Sequence, residues 1–439
     1  MVKKGSELTA AITGTVFPNK GVAYVDGEKI LVHDALQGQK VRIRITRKRR
    51  GKIEAKILEV LEKSPLEQEP ACTQFGLCGG CTYLNIAYEN QLDIKAHHVL
   101  KLLADAGIQG FEFLGIEPSP NTTAYRNKME YTFGDNADEQ LTLGLHRKRM
   151  RYEISPVTGC QLVDGDFLAI LDAALDYFRA LEVPFYHKKS RQGVLRHLVI
   201  RKAGTTGEIL VNLVTTSQMK LDLEQLVTRL QQLELMGRIK GILHTINDGK
   251  ADAIQADALH VLWGDDYITE RILGLTFRVT AFSFFQTNSY GAERLFSIVR
   301  DFAGQGLGVV YDLYCGTGTI AQIISPQAEK VIGIEIVPEA IEAARENARL
   351  NGLDNCRFIA GDVLAELDSL EEQPGLIILD PPRSGIHPKA LEKLAAIRPP
   401  RLVYVSCQPA SLARDLQALT ASGYKAEKVK CVDMFPHTP

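Results

Sequence analysis

Val309-Val-Tyr-Asp-Leu-Tyr-Cys-Gly-Thr-Gly-Thr-Ile-Ala321 reads as a buried strand that ends in a carboxylate, turns on two glycines and enters a helix. A continuous apolar run of this kind belongs to a strand covered on both faces. Towards the C-terminus the same grammar recurs. VIGIEIV is followed by PEAIEAARENARLNG, RFIAGD by a short helix, LIILDPP by KALEKLAAI, and LVYVSC by SLARDLQALTASG. Repeated β-α units predict a parallel, doubly wound, Rossmann-like sheet from about residue 285 onward.

Towards the N-terminus the grammar changes. From about 6 to 60 short apolar runs (ELTAAITGTV, GVAYVDG, KILVHDA, KVRIRIT, KIEAKILEVLE) are punctuated by Gly14, Gly21, Gly27, Gly38 and Gly51. That rhythm predicts a small OB-like β-barrel, a fold that binds oligonucleotides on a strand face. The polar run SPLEQEP reads as a linker. From Cys72 to about 280 strand-like runs (VLRHLVIRKA, EILVNLVTT, GILHTIND) lie between amphipathic helices, which predicts a mixed α+β domain. A helical stretch, YENQLDIKAHHVLKLLADAG, ends at Gly107. The chain is thus expected to be a multidomain α/β protein with domains at 1–62, 63–282 and 283–439. The helix at about 88–106 is a candidate for packing on the last of these.

The 439 residues carry 51 Lys+Arg against 53 Asp+Glu, and 45% are hydrophobic. That apolar content excludes a disordered chain, and the scattered Gly and Pro exclude a collagenous one. No run approaches the roughly 20 apolar residues of a membrane span, and MVKKGSELTA lacks the apolar core of a secretory signal. A cytoplasmic location without membrane contact is the expectation, and no obligate protein partner is evident. The near-neutral total hides an asymmetry: residues 1–60 hold 13 Lys+Arg against 6 Asp+Glu. Lys40 to Lys52 (KVRIRITRKRRGK) has eight cations and no acid, with Val41, Ile43 and Ile45 alternating against Arg42 and Arg44. This is a strand with one cationic face, either a phosphate-binding surface or an edge kept soluble by charge. Further basic tracts at Arg147-Lys-Arg-Met-Arg151 and Lys188-Lys189-Ser-Arg191, with Arg196, Arg201 and Lys202 beyond, favour an RNA channel over solvated faces.

In an open α/β sheet the ligand sits outside the carboxyl ends of the strands. Those ends carry Asp312-Leu-Tyr-Cys-Gly-Thr-Gly, then Glu335, Gly361-Asp362, Asp380-Pro-Pro-Arg383 and Ser406-Cys407. Gly316-Thr-Gly-Thr-Ile-Ala321 also satisfies the dinucleotide pattern G-x-G-x-x-G/A. A carboxylate at 312 would repel a pyrophosphate yet could receive the ammonium of a methionine moiety, while Glu335 could accept from ribose hydroxyls. Asp-Pro-Pro suits a methyl-transfer site that admits a planar base. These strand-end signals favour S-adenosylmethionine over a nicotinamide dinucleotide.

Among the eight cysteines, Cys356 and Cys431 read as core residues and Cys315 as packed within the glycine turn. Cys407 ends a buried strand ahead of a helix start, where the dipole would lower a thiol pKa, so it reads as a nucleophile in the crevice. A methyltransferase with a thiol nucleophile addresses one problem. C5 of a pyrimidine is too weak to attack a sulfonium until a thiolate adds at C6. The substrate is then a uracil or cytosine, flipped out of any stack.

Phe285-Gln286-Thr-Asn288, Asp312-Leu-Tyr-Cys-Gly-Thr-Gly, Asp380-Pro-Pro-Arg-Ser-Gly, Ser406-Cys-Gln-Pro-Ala-Ser-Leu-Ala-Arg-Asp and Met434-Phe-Pro-His-Thr together resemble the RNA uracil-5-methyltransferase family. The resemblance covers nearly the whole chain, including an N-terminal TRAM domain. It implies a class I methyltransferase domain in which Gln286, Tyr314, Glu335, Asp380, Asp362 and Thr319 contact S-adenosylmethionine. Cys407 matches the family nucleophile, and Tyr125-Arg126-Asn127-Lys128 resembles a family motif near the RNA site. The remaining cysteines, Cys72, Cys78, Cys81 and Cys160, are spaced too unevenly for a zinc ribbon and better for an iron–sulfur cluster, with zinc the alternative. Many family members hold a [4Fe–4S] cluster through this pattern. The transfer-RNA branch usually lacks both this cysteine set and the TRAM domain, so the resemblance implies ribosomal (23S) RNA as the target. Transfer RNA, or a catalytically silent RNA-binding protein of the same fold, are the alternatives. In the family, Phe-Pro-His-Thr is followed by His-Val-Glu, whose Glu removes the C5 proton. That base is expected beyond residue 439, with His437 positioning its loop.

Overall fold

A computed structural model describes residues 2–135, 140–150, 152–251 and 256–439. Two compact units make up the chain: residues 1–76, 80–118 and 423–439 form one, residues 77–79 and 119–422 the other.

In the first unit, β1 (Glu7–Ala11), β2 (Gly14–Val16), β3 (Lys20–Val25), β4 (Glu28–His33), β5 (Lys40–Arg49) and β6 (Lys52–Glu62) form one sheet. Its order is β1-β5-β6-β4-β3-β2, antiparallel except between β4 and β6. The alternation expected in β5 is present. Val41, Ile43 and Ile45 are buried with Ile30, Val32 and Ile53 in one core, while Arg42 and Arg44 face outward. The stretch read as a linker is tied down. Ser64 donates through Oγ to the Gln37 carbonyl at 2.6 Å, and Glu67 Oε1 accepts from the Ser64 N–H and from Gln39 Nε2, both at 2.8 Å. Next come α1 (Tyr88–Asp105) and β7 (Glu112–Glu117).

The second unit opens with β8 (Lys128–Asp135), β9 (Leu141–His146), β10 (Ile154–Pro156), α2 (Gly165–Ala180), β11 (Leu195–Lys202), β12 (Glu208–Thr215), α3 (Glu224–Gln231), β13 (Arg238–Ile246) and β14 (Ala258–Gly264). The strands form a seven-stranded sheet, β10-β9-β8-β11-β12-β13-β14, whose core with α2 and α3 is apolar. A hairpin of β15 (Tyr267–Ile272) and β16 (Leu275–Thr280) leads to α4 (Ser289–Ala303). The β-α alternation read from the sequence then begins. β17 (Leu307–Leu313), α5 (Thr319–Ile324), β18 (Ala328–Glu335), α6 (Pro338–Leu350), β19 (Cys356–Ala360), α7 (Val363–Glu366), β20 (Leu376–Leu379), α8 (Pro388–Ile397), β21 (Arg401–Tyr404) and α9 (Pro409–Ala421) succeed one another. All five strands are parallel, in the order β19-β18-β17-β20-β21. The order reverses at β17, so the crevice above β17 is a topological switch point.

Residues 423–439, read from the sequence as the end of the C-terminal domain, belong instead to the first unit. There β22 (Lys428–Val432) pairs in parallel with β7. Helix α1 holds the residues beyond β22. Asp433 accepts from Tyr88 Oη at 2.8 Å and from Lys95 Nζ at 2.7 Å, and Gln91 Oε1 accepts from the His437 N–H at 2.8 Å. His437 is buried, its ring Nδ1 lies 3.1 Å from Gln91 Nε2, and its carbonyl accepts from the Thr82 and Tyr83 N–H groups. It acts as a loop anchor. Among the described residues no helix is long and apolar enough to cross a membrane.

Candidate active site

The glycine turn after β17 is built by backbone geometry that few residues tolerate. Tyr314, Gly316 and Gly318 have φ of 64°, 53° and 70°, all left-handed. A Cβ on Gly318 would lie 2.6 Å from the Phe358 ring, so only glycine fits there, whereas Gly316 faces open space. Glu335, the last residue of β18, holds the turn: its Oε2 accepts from the Gly316 N–H at 3.1 Å and its Oε1 from the Val337 N–H at 3.1 Å. Thr319 is the first residue of α5, and Asp362 caps α7 by accepting from the Ala365 N–H at 3.2 Å.

Carboxyl groups are concentrated beneath this turn, with no cation paired to Asp312 or Asp380 among the described residues. Asp312 is fully buried; its Oδ2 accepts from the Ala321 N–H at 2.9 Å, and its Oδ1 has no hydrogen-bond partner among the described residues. Burial, reinforced by the Asp380 charge, pushes the Asp312 carboxyl up to about 8. Burial pushes Asp380 up to about 7. Tyr314 is pushed up to about 12 by burial and by the charges of Asp362 and Asp415. Cys315 is buried among the same carboxyls, and burial raises its thiol well above the ordinary value, so it is an inert packing residue. Burial likewise raises Cys356 and Cys431 to about 11. A site of this character is complementary to a cationic ligand.

Asp380 and Cys407 leave adjacent strands at the same edge, because β20 and β21 run in parallel and the Val405 N–H donates to the Leu379 carbonyl at 2.7 Å. The Cys407 thiol is exposed. Helix α9 fixes the loop after Asp380. Asp415, fully buried, accepts from the Ile386 N–H and from Tyr404 Oη, both at 2.8 Å. Arg414 Nη2 donates to the Ser384 carbonyl at 2.7 Å, and Ser411 Oγ to the Arg383 carbonyl at 2.9 Å. Any Cβ on Gly385 would collide with the Arg414 guanidinium and the Asp415 carboxylate.

Gln286 lies outside the parallel sheet, just ahead of α4. Its segment is held by the seven-stranded sheet. Asn127 Nδ2 donates to the Gln286 carbonyl at 3.0 Å and to Ser289 Oγ at 2.7 Å, and the Asn127 N–H donates to the Thr287 carbonyl at 2.8 Å. Asn288, buried, caps α4 by accepting from the Gly291 N–H at 2.9 Å. Beside Gln286, Phe284 is 73% exposed. Within the Tyr125–Lys128 motif, resembling one near the RNA site, Asn127 thus has a supporting task that no sequence signal marks. Glu270 supports the same segment, accepting from the Gly204 and Thr205 N–H groups and from Ser289 Oγ. Glu270 sits in a TERI strand with no local signal, so only its burial reveals it.

The basic tracts divide. Arg196 and Arg201 are buried, not channel-lining. Arg196 Nη1 donates to the Asn247 and Gly249 carbonyls, and Arg201 Nη2 to the Ser283 carbonyl at 2.5 Å. Lys202 is paired with Asp164 at 2.5 Å and Asp166 at 2.6 Å. Lys189 lies 4.8 Å over the Tyr152 ring, and Arg147 pairs with Glu153 at 2.8 Å; Arg151 lies outside the described residues. On the barrel, Lys40, Arg42, Arg44 and Lys48 are all paired with glutamates. Arg47, Arg49, Arg50 and Lys52, at the β5–β6 hairpin tip, form no ion pair among the described residues. None of Cys72, Cys78, Cys81 and Cys160 is in a disulfide. Among the described residues, no group of three or more His, Cys, Asp or Glu side chains is gathered so as to hold a metal ion.

Comparison with known proteins places this geometry. The model of the TRAM domain matches residues 2–58, and that of the tRNA (uracil-5-)-methyltransferase family residues 204–439. A Clostridium tetani protein described as an uncharacterized RNA methyltransferase is 51% identical, over 100% of this chain and 96% of its own. One from Caldanaerobacter subterraneus, described likewise, is 49% identical over 99% and 97%. Among solved structures, the Pyrococcus abyssi tRNA (uracil-54, C5)-methyltransferase, in complex with S-adenosyl-L-homocysteine, superposes with a TM-score of 0.76. It is 24% identical, covering 98% of this chain and 97% of its own, and shows that the fold is shared end to end. The chain is an RNA methyltransferase with a TRAM domain and belongs to the tRNA (uracil-5-)-methyltransferase family.

Proposed function

We propose that this enzyme methylates C5 of uridine in ribosomal (23S) RNA with S-adenosylmethionine as donor, through a covalent adduct of Cys407. The observation that carries the reading is the exposed Cys407 thiol at the strand edge it shares with Asp380, next to a buried carboxyl array lacking a paired cation among the described residues. That array fits a sulfonium and an ammonium, and Gly316 leaves room for them. Tyr314, Thr319, Glu335, Asp362, Asp380 and Gln286 are the residues that would hold the donor. When bound, it supplies an electrophilic methyl group.

The Cys407 thiolate adds to C6 of the flipped uracil, and the C5–C6 electron pair passes to C5 and O4. C5 would then take up the electrophilic methyl group that a donor held by these residues would supply, the donor leaving as the neutral thioether. A base then removes the C5 proton, C5=C6 reforms, and Cys407 leaves as thiolate. The loop after Asp380 is held against α9 through Ile386, Ser384 and Arg383.

The cysteine set and the TRAM domain support ribosomal RNA. A second reading, transfer RNA, is favoured by the full-length likeness of fold to the Pyrococcus abyssi enzyme. Labelled methyl transfer to 23S transcripts and to transfer RNA, followed by nucleoside analysis, separates them. Label in 5-methyluridine from 23S RNA alone is expected; label only in transfer RNA selects the second reading, and none in either RNA overturns both. Cys72, Cys78, Cys81 and Cys160 are the thiols we assign to a [4Fe–4S] cluster, on their spacing and family resemblance.

A further inference from the structure

We propose that Asn127 is a positioning residue for methyl transfer, fixing the backbone of Gln286 so that its side chain meets the donor; this rests on the assignment of Gln286 above. Asn127 precedes β8 and is itself held, because its carbonyl accepts from the Lys202 N–H at 2.9 Å. Its side-chain amide has two N–H groups, and both are committed to the segment it supports: one to the Gln286 carbonyl at 3.0 Å, one to Ser289 Oγ at 2.7 Å. Ser289 donates its own proton to Glu270, a buried carboxylate anchored by the Gly204 and Thr205 N–H groups at 2.7 and 3.0 Å. Ser289 can therefore only accept from Asn127, and the amide orientation is fixed by the network and not by chance. On the neighbouring strand Arg201 grips the same segment upstream, donating to the Ala281 and Ser283 carbonyls at 3.3 and 2.5 Å. The segment between these grips carries Phe284 and Gln286, has no regular structure, and has few other ways to satisfy its carbonyls. A loop held at both ends by a rigid sheet presents its side chains with little entropy left to lose on binding.

The test is a cycle of Asn127→Ala, Gln286→Ala and the double variant, read by S-adenosylmethionine dissociation constant and by KM and kcat. Thr132→Val, which removes the Thr132–His197 hydrogen bond on β8 and β11, controls for mere loss of stability. Asn127→Ala should raise the dissociation constant about tenfold, the scale of one well-placed hydrogen bond. The double variant should be no worse than Gln286→Ala, since Asn127 acts through Gln286. Thr132→Val should lower Tm and leave the dissociation constant as in the wild type. Wild-type affinity in Asn127→Ala, additive effects in the double variant, or an equal loss in Thr132→Val would each overturn the proposal. If Gln286→Ala binds donor normally, the assignment of Gln286 fails and this inference with it. If the wild-type protein binds no S-adenosylmethionine, it is the proposed function that fails.

Discussion

Cys407 and Cys315 are separated by environment more than by chemistry. One thiol is exposed in the loop between β21 and α9; the other is kept protonated by burial first and then by the nearby Asp312 and Glu335 charges. Cys407→Ala should abolish methylation and leave S-adenosylmethionine binding intact, whereas Cys315→Ala should retain activity. RNA containing 5-fluorouridine, which has no C5 proton to lose, should form a denaturation-resistant adduct with wild-type protein and none with Cys407→Ala. Asp312 makes a second expectation at this scale. Its carboxyl, at about 8 when folded against an ordinary value of 3.8, binds a proton in the native state that the unfolded chain releases. Stability from this group is fully present below about pH 4 and is lost as pH rises towards 8. A cation binding there expels the proton, so donor affinity should rise with pH across the same range. Asp312→Asn keeps an acceptor for the Ala321 N–H, and it should flatten both profiles, followed by Tm and by titration calorimetry from about pH 5 to 9.

Among the elements, the β5–β6 hairpin shows how pairing redistributes charge. Exposed ion pairs contribute little stability, but they cancel the field that a phosphate would feel. The expected cationic face of β5 is thereby reduced to its tip, where Arg47, Arg49, Arg50 and Lys52 have no carboxylate partner among the described residues. Replacing Arg47, Arg49 and Arg50 together by Gln should lower the salt slope of RNA binding by about 2, at about 0.7 per lost single-strand contact. The same change at Arg42 and Arg44 should move it far less; filter binding between roughly 50 and 300 mM salt is the check. Helix α9 supplies the other case. Gly385→Ala has no room beside Arg414 and Asp415, so the loop after Asp380 must shift. A displacement of an ångström in such a loop costs on the order of 10²-fold in kcat/KM, with the far-ultraviolet spectrum unchanged.

For the whole molecule, the four remaining cysteines give the sharpest expectation. Protein purified without oxygen should be brown and hold about four irons with matching labile sulfide, and Cys160→Ser should lose them. Stoichiometric zinc in strictly anaerobic protein would refute the assignment. The parallel sheet and the glycine turn at its switch point were legible from residue patterns alone. Buried parallel strands need continuous apolar runs, and a left-handed turn needs glycine, so those constraints are written locally. The placing of residues 423–439 was not legible, because β22 is an ordinary amphipathic strand whose partner, β7, lies more than 300 residues away. Nor was the work of Arg196 and Arg201: a charge in sequence looks the same whether it meets a phosphate or a ring of carbonyls. The glutamates that neutralise β5 are likewise chosen by register across strands. Sequence by itself therefore determined the family and the class of chemistry this protein belongs to. The tertiary structure alone decided which charges remain to meet RNA and which side chains hold the site still, because pairing and burial are properties of neighbours in space.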